Sequence, residues 1–278
     1  MTRHDSETES ALPPDAPLAI ERVSVGGVSV AIVTLSRPEA RNPLDAATVK
    51  AMRSLLEEFV EAGDVDSVII TGSGDSFSAG GDLKGYQTLF RDQAAFSDFL
   101  DDFEAVCDVL ERSRLISVAM INGTCVAGGL ELALACDVIT IADDARIGDG
   151  HLNFAQLPGA GSSQRLIQAI GVQRAKHWLL SGRLFEPSEA VEAGLALLLS
   201  PLSELRSKTL DIVVDLCRTS PLARQRMKEL IAFSQRSLLQ DGLAEEQRVV
   251  FEYATTSHDA TEGLNAFAEH RQPDYKGR

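Results

Sequence analysis

Short apolar runs alternate with amphipathic stretches along the first two hundred residues. Four of these runs are rich in Val and Ile, which is typical of buried β-strands, and they lie at 28–36, 68–71, 116–121 and 138–142. Elsewhere, apolar residues recur every three or four positions, as on one face of a helix. This spacing predicts helices at 44–63, 96–112, 128–136, 166–170, 174–180 and 188–193. Short strands that alternate with helices predict parallel α/β units.

The C-terminal part of the chain has a different pattern. After a last apolar run at 195–199, the spacing is helical from Leu202 to Glu269, with one break at Pro221. The first residues are polar and acidic and include three prolines, which predicts disorder. We therefore divide the chain into a disordered acidic tail (1–17), an α/β core (18–201) and a C-terminal helical region (202–278).

Composition and charge exclude several classes of protein. Of the 278 residues, 44% are apolar, which is ordinary for a globular protein and too high for a disordered one. Asp and Glu outnumber Lys and Arg by 41 to 26, so the formal charge is −15. Because phosphate backbones attract basic surfaces, this balance argues against nucleic acid as a partner.

The sequence contains no signal for a membrane, an export route or a metal. No apolar stretch reaches the roughly 18 residues of a membrane span, and the N-terminus lacks the basic start and apolar centre of a signal peptide. Four scattered cysteines form no CxxC pair, which is typical of a reducing compartment. We therefore expect a cytoplasmic protein with no membrane partner. The five His residues form no HExxH motif or Cys/His cluster, so no metal site is predicted.

Two Gly-rich turns follow two of the predicted strands, at 77–82 and 126–131. Backbone N–H groups are unpaired where a strand passes into a helix, and glycine lets a ligand approach the backbone closely. Two such N–H groups that point at one oxygen would form an oxyanion hole. One Gly-Gly turn alone is more simply interpreted as a connection, but two with similar flanks favour a functional site.

Glu131 lies within the apolar segment 129–136. Burial raises the pKa of a carboxyl group, which suits a general acid or base near neutral pH. A first-turn Glu favoured by the helix dipole is the alternative interpretation. That role needs no apolar neighbours, so the sequence favours a functional Glu131.

His151 follows a predicted strand in the turn 147–152 and is a natural proton carrier at neutral pH. Asp149, two residues earlier, could orient its ring. Taken alone, however, His151 is better interpreted as a loop residue beside an Asp-Gly turn. The segment 157–163 resembles a phosphate-binding loop without its lysine, and we interpret it as a rigid turn that Ser162 or Ser163 caps.

Together these residues resemble the crotonase superfamily, the enoyl-CoA hydratase/isomerase fold. The similarity runs from about Val23 to the C-terminus, and the matching segments, in the family's order, are 35–44, 68–72, 77–84, 127–137, 157–166 and 193–195. The resemblance implies an α/β fold with a crotonase-like ββα spiral core. It also implies C-terminal helices shared between subunits of a homotrimer or a dimer of trimers.

The resemblance further implies an acyl-CoA substrate, with coenzyme A present as part of the thioester and no permanently bound cofactor. The N–H groups of Gly81 and Gly128 would stabilise the thioester enolate. Arg41 and Lys84 would contact phosphates, which explains how an acidic protein holds an anionic ligand. The full set implied to bind coenzyme A is Arg41, Asn42, Leu44, Ala79, Gly81 and Lys84.

One catalytic position departs from the family pattern. Hydratases use two glutamates, and the first corresponds to Glu131, whereas the second position holds His151. We expect hydration of an enoyl-CoA, with His151 as the water-activating base and Glu131 as the acid. C–C bond hydrolysis of a β-diketone, decarboxylation and double-bond isomerisation are alternatives, as is a non-catalytic acyl-CoA-binding protein. The segment Gly85–Phe103 is expected to line the acyl pocket.

Overall fold

The computed structural model of the chain describes residues 5–7 and 16–278. The strands in the described residues are β1 (Asp5–Glu7), β2 (Leu18–Val25), β3 (Val28–Leu35), β4 (Ser67–Gly72), β5 (Ser76–Ser78), β6 (Ile116–Ile121), β7 (Thr124–Val126), β8 (Val138–Ala142), β9 (Arg146–Gly148) and β10 (Leu198–Ser200). The α-helices are α1 (Ala46–Ala62), α2 (Leu83–Leu89), α3 (Gln93–Arg112), α4 (Gly128–Leu134), α5 (Ser162–Ile170), α6 (Val172–Ser181), α7 (Pro187–Glu192), α8 (Leu202–Cys217), α9 (Pro221–Ser234), α10 (Leu239–Thr256) and α11 (His258–Ala268).

The larger sheet has the strand order β1-β2-β3-β4-β6-β8-β10. The pairs β1–β2 and β2–β3 are antiparallel, and the remaining pairs are parallel. Every residue of β4 and β6 is buried, which explains why these strands are continuous apolar runs rather than alternating ones. The sheet is therefore mixed: its parallel pairs agree with the predicted α/β units, whereas the apolar pattern does not predict the antiparallel hairpin β2–β3, which turns at Gly26 and Gly27.

A second sheet positions the candidate site. It contains the three-residue strands β5, β7 and β9 in parallel order. Each directly follows a strand of the larger sheet and leads towards a helix, so the chain repeats a ββα unit, as the resemblance predicts. The carboxyl ends of parallel strands meet at one edge of a sheet. The loops after β5, β7 and β9 therefore lie side by side, although they are far apart in the sequence.

The C-terminal helices are joined to the core through Lys228 of α9. Its Nζ donates hydrogen bonds to the backbone oxygens of Leu110 and Leu115, at 2.7 and 2.6 Å, and to Oδ2 of Asp137 at 2.7 Å. The Lys228 side chain is only 7% exposed. This ammonium group therefore holds α9 against the ends of α3, β6 and α4.

Most strongly patterned elements are confirmed. The predicted strands at 116–121 and 138–142 coincide with β6 and β8, and the helix predicted at 96–112 lies within α3. The structure adds β2, the three short strands and α2, which the pattern did not predict. The predicted tail at 1–17 lies mostly outside the described residues and stays a prediction there, but its residues Asp5–Glu7 pair with β2 as a strand.

Among residues 5–7 and 16–278, no helix combines the length and the apolar character needed to cross a membrane.

Candidate active site

Two Gly-rich loops, after β5 and β7, touch at Gly80. This residue has φ = +86°, and a Cβ atom built on it would lie 2.7 Å from Cβ of Ala127 and 3.1 Å from the backbone nitrogen of Gly128. Only glycine fits this contact and tolerates this backbone conformation. The pair of turns predicted from the sequence is therefore brought into direct contact.

The backbone N–H groups of Gly81 and Gly128 are free to bind a ligand. Among the described residues, neither N–H group has a hydrogen-bond acceptor. Gly128 is the first residue of α4, so its N–H lies before the first intrahelical hydrogen bond. The preceding residue, Ala127, has φ = +53°, a strained conformation for alanine that sets the direction of this N–H. Both glycines line one cavity.

The segment 41–44 braces the first of these loops. The backbone nitrogens of Ala79 and Leu44 donate to the oxygens of Arg41 and Gly80, each at 2.8 Å. Asn42 is 1% exposed, and its Nδ2 donates to backbone oxygens of the turn after β4. Its amide is thus fully used within the protein, so the side chain holds the loop in place.

The residues implied to bind coenzyme A therefore fall into three groups. Ala79 and Gly81 line the cavity. Asn42 and Leu44 are buried behind the loop. Arg41 and Lys84 are exposed side chains outside the cavity lining.

Glu131 lies in the first turn of α4 and is 3% exposed. Its Oε1 accepts hydrogen bonds from the backbone nitrogens of Ala160 and Ser162, at 2.7 and 3.2 Å. Gly161, with φ = +108°, is the N-cap of α5, so the predicted capping by Ser162 or Ser163 is wrong. The loop instead uses its amides to hold the Glu131 carboxyl group.

His151 lies between two acidic side chains. Its Nδ1 is 3.0 Å from Oδ2 of Asp149, and its Nε2 is 3.7 Å from Oε2 of Glu131. Asp149 also accepts a hydrogen bond from the backbone nitrogen of His151 at 3.3 Å, which fixes the turn. Because Nδ1 donates to a carboxylate, Nε2 is the ring atom left to exchange a proton with Glu131 or a ligand.

The surroundings shift the pKa values of all three groups. Burial raises the pKa of Glu131, and this outweighs the opposing effects of His151 and the two amides. Burial alone would lower the pKa of His151, but the hydrogen bond and charge of Asp149, together with the charge of Glu131, raise it. Burial opposes ionisation of Asp149 too, but its hydrogen bond with His151 is among the interactions that lower its pKa. The surroundings thus favour the protonated forms of Glu131 and His151 and the ionised form of Asp149, compared with the free side chains.

The cavity over these groups has a volume of about 420 Å³. It brings Gly81, Gly128, Glu131 and His151 together, all of which the sequence indicated. Side chains from the predicted segment Gly85–Phe103 form one side of it. Among them, burial, followed by the charge of Glu131, raises the pKa of Tyr86 to about 12, so its phenol stays protonated.

Within the part of the chain that the structure describes, no three His, Cys, Asp or Glu side chains come together as metal ligands would.

Comparisons with known proteins agree with this geometry. The family model described as Enoyl-CoA hydratase/isomerase matches residues 26–278. A protein of Mycobacterium tuberculosis (strain CDC 1551 / Oshkosh) described as "Probable enoyl-CoA hydratase echA8" is 35% identical over 250 residues, which cover 90% of this chain and 95% of that protein. The 2,3-dehydroadipyl-CoA hydratase of Escherichia coli (strain K12) is 34% identical over 249 residues, which cover 90% and 96% of the two chains. The crystal structure of an enoyl-CoA hydratase from Bacillus anthracis has a TM-score of 0.85 and 31% identity, and the match covers 94% of this chain and 100% of that one.

The chain belongs to the enoyl-CoA hydratase/isomerase family of the crotonase superfamily. It is a hydratase-type enzyme of this superfamily that acts on acyl-CoA thioesters, and the family works without a permanently bound cofactor. The family and the α/β fold with C-terminal helices, both expected from the sequence, are confirmed.

Proposed function

We propose that the protein adds water to the double bond of an enoyl-CoA thioester. The observation that carries this proposal is the meeting of four groups at one cavity: the N–H groups of Gly81 and Gly128, which have no acceptor among the described residues, and the neighbouring ionisable side chains of Glu131 and His151. Such an arrangement provides an anion-binding site and a proton donor and acceptor within the same small volume.

The two N–H groups hold the thioester oxygen as negative charge develops on it. Donors fixed in advance for such an oxygen are worth roughly 3–4 kcal/mol each in comparable sites. The N-terminus of α4 adds its dipole at Gly128. Ala79 and Gly81 contact the coenzyme at the cavity, Asn42 and Leu44 hold the loop beneath it, and the exposed cations of Arg41 and Lys84 attract its phosphates.

His151 and Glu131 then move the protons. Neutral His151 takes a proton from water as the water oxygen bonds to C3, and protonated Glu131 gives its proton to C2. This leaves an imidazolium and a carboxylate whose nearest N and O atoms are 3.7 Å apart. Return of the proton from His151 to Glu131 restores the starting state, so atoms and charge balance.

A second candidate function is hydrolysis of a C–C bond in a β-diketone. It is favoured by one observation, the His151–Asp149 hydrogen bond in the place where hydratases have a second glutamate. The same oxyanion site would also serve decarboxylation or double-bond isomerisation of an unsaturated or β-keto thioester. A non-catalytic acyl-CoA-binding protein is the remaining alternative, and the buried Glu131 beside a free cavity argues against it.

The proposal is tested by incubating the protein with crotonyl-CoA, a longer enoyl-CoA and a cyclic β-diketone, and identifying the products by mass spectrometry. Hydration predicts a 3-hydroxyacyl-CoA from at least one thioester. Cleavage of the diketone with no hydration of either thioester would establish the second function instead. Binding of coenzyme A thioesters without any product would indicate the non-catalytic alternative.

We also propose that the protein assembles as a homotrimer or a dimer of trimers. The C-terminal helices α9, α10 and α11 expose large apolar side chains, which are unfavourable in water and typical of a subunit interface. Examples, each more than half exposed, are Met227, Ile231, Leu243, Phe251 and Phe267. Light scattering at micromolar concentration measures the mass, and a monomer would contradict the proposal.

A further inference from the structure

One side of the cavity is a continuous aromatic surface formed by Tyr86, Phe90, Phe96, Phe99 and Phe103, called the aromatic wall below. The rings of Tyr86 and Phe90 are stacked with centroids 5.1 Å apart, and Phe90 meets Phe96 edge-on at 5.0 Å. Phe99 links the two ends, since it makes edge contacts at 6.1 Å with both Tyr86 and Phe103. The wall is therefore a set of interlocked rings rather than scattered side chains.

The aromatic wall is formed by residues of two consecutive helices, α2 and α3. Phe96, Phe99 and Phe103 are three and four residues apart on α3, so they point in the same direction. Tyr86 and Phe90 have the same spacing across α2 and its end. Phe99 and Phe103 are each 4% exposed and belong to the core, whereas Phe90 is 44% exposed, so the rings run from the core to the surface along one side of the cavity.

In the described part of the chain, the cavity lining contains no basic side chain besides His151. Among the described residues that line it, the acidic and basic side chains are Glu131 and His151, and neither Lys nor Arg is present. Leu83, Leu100 and Leu157 extend the apolar lining. A carboxylate on the far end of an acyl chain would lose water here and find, in the described lining, only the neutral donors of Tyr86 and Gln156, with no Lys or Arg to balance its charge, which is costly.

We propose that the acyl group this site selects is neutral and apolar and carries an aromatic ring, and that a dicarboxylic acyl group is rejected. The inference rests on the proposed function, whose cavity it interprets. A flat ring gains edge-to-face and offset contacts with the aromatic wall beyond those of an alkyl chain, worth up to about tenfold in affinity. The 34%-identical relative from Escherichia coli is named for a dicarboxylic acyl group, so the proposal separates this chain from it.

The test measures binding of saturated thioesters, which needs no turnover. Calorimetry with the full chain gives the Kd of 5-phenylpentanoyl-CoA, octanoyl-CoA and adipyl-CoA. We expect 5-phenylpentanoyl-CoA to bind most tightly and adipyl-CoA to bind at least tenfold more weakly than it. A difference below tenfold between these two, or tighter binding of octanoyl-CoA than of the phenyl compound, would overturn the proposal.

A variant pair assigns the preference to the aromatic wall. Phe90 is 44% exposed, so Phe90→Leu should fold. The preference for the ring is measured by the Kd of octanoyl-CoA divided by the Kd of 5-phenylpentanoyl-CoA. In Phe90→Leu this ratio should fall several-fold. Leu180→Ala removes apolar volume at a 71% exposed position that is outside both the cavity and the C-terminal helices, and it should leave this ratio unchanged. Equal ratios in both variants would contradict a role for the wall. Because crotonyl-CoA hydration is measured separately, failure of the proposed function would not be confused with failure of this inference.

Discussion

Nε2 of His151 lies 3.7 Å from Oε2 of Glu131, while Nδ1 of the same ring is held by Asp149 at 3.0 Å. Three ionisable groups thus form a row, with the two carboxyl groups on either side of the imidazole. Burial disfavours a second negative charge at Glu131, and the charge of Asp149 favours a proton on His151. The two side chains next to the cavity are therefore both biased towards holding a proton, and their nearest N and O atoms are close enough for a proton to pass between them with a small movement.

Replacing Asp149 by asparagine tests the origin of the His151 protonation. The carboxylate raises the pKa of His151, so its removal makes the proton easier to lose and moves the pH profile to lower pH. Loss of the fixed ring tautomer should also lower kcat by ~10²-fold or more. The measurement is kcat/KM against pH for wild type and variant. Asp144→Asn, an equal charge change at an exposed turn, is the control and should leave the profile in place.

Glu131→Gln and His151→Ala test the proton transfers themselves. Each should lower kcat by ~10²-fold or more, because each removes a group that gives or takes a proton. Since the two side chains act as a unit, the double variant should be little worse than either single variant. Steady-state kinetics on a substrate that wild type converts gives these values. Effects that multiply would indicate independent roles, and activity equal to wild type would remove the assigned role of that residue.

The contact between the two loops is tested at Gly80. In Gly80→Ala, the new methyl group would collide with Ala127 and approach the nitrogen of Gly128, so we expect kcat to fall by at least tenfold, together with a loss of thermal stability. Gly194→Ala introduces alanine at a similar φ, +79° against +86°, where a Cβ would meet nothing within 4 Å. It should retain wild-type kcat. Similar kinetics for the two variants would contradict the proposed role of the loop contact.

Two lysine–carboxylate pairs allow a matched test of stability. The Lys228–Asp137 and Lys208–Glu204 pairs both have N–O distances of 2.7 Å, but the lysine side chains are 7% and 43% exposed. Lys228→Met should destabilise the protein by about 3 kcal/mol, because it removes the buried ammonium group that bonds Asp137 and the backbone oxygens of Leu110 and Leu115. Lys208→Met should cost about 0.5 kcal/mol or less. Urea unfolding measures both, and equal losses would show that burial of the pair does not matter.

How far the sequence predicts the fold depends on the length and continuity of each pattern. The strands β6 and β8 are apolar apart from one Ser and one Thr, and their predicted bounds agree with the structure. By contrast, β2 contains Glu21 and Arg22 and is only partly buried, so no apolar run marks it. The strands β5, β7 and β9 have three residues each, too few to show a period.

In the candidate site too, residues marked by their neighbours in the sequence are predictable, whereas contacts from distant loops are not. Glu131 and His151 were identified from their neighbours in the sequence and from the family resemblance. The amides of Ala160 and Ser162 that hold Glu131 come from a loop about thirty residues away, and backbone donors carry no side-chain signature. The aromatic wall lies within the segment Gly85–Phe103 that the sequence predicts to line the acyl pocket, but the sequence does not show which rings face the cavity, because rings at helical spacing indicate a core equally well.

The most direct test of the central claim is proton exchange at C2 of a saturated thioester, butyryl-CoA, in D₂O. An enzyme that stabilises the thioester enolate between Gly81 and Gly128 and exchanges a proton through Glu131 incorporates deuterium at C2, whatever its net reaction. We predict incorporation with wild type and at least ~10²-fold slower incorporation with Glu131→Gln, followed by mass spectrometry. Absence of exchange in wild-type protein that demonstrably binds butyryl-CoA would contradict the account.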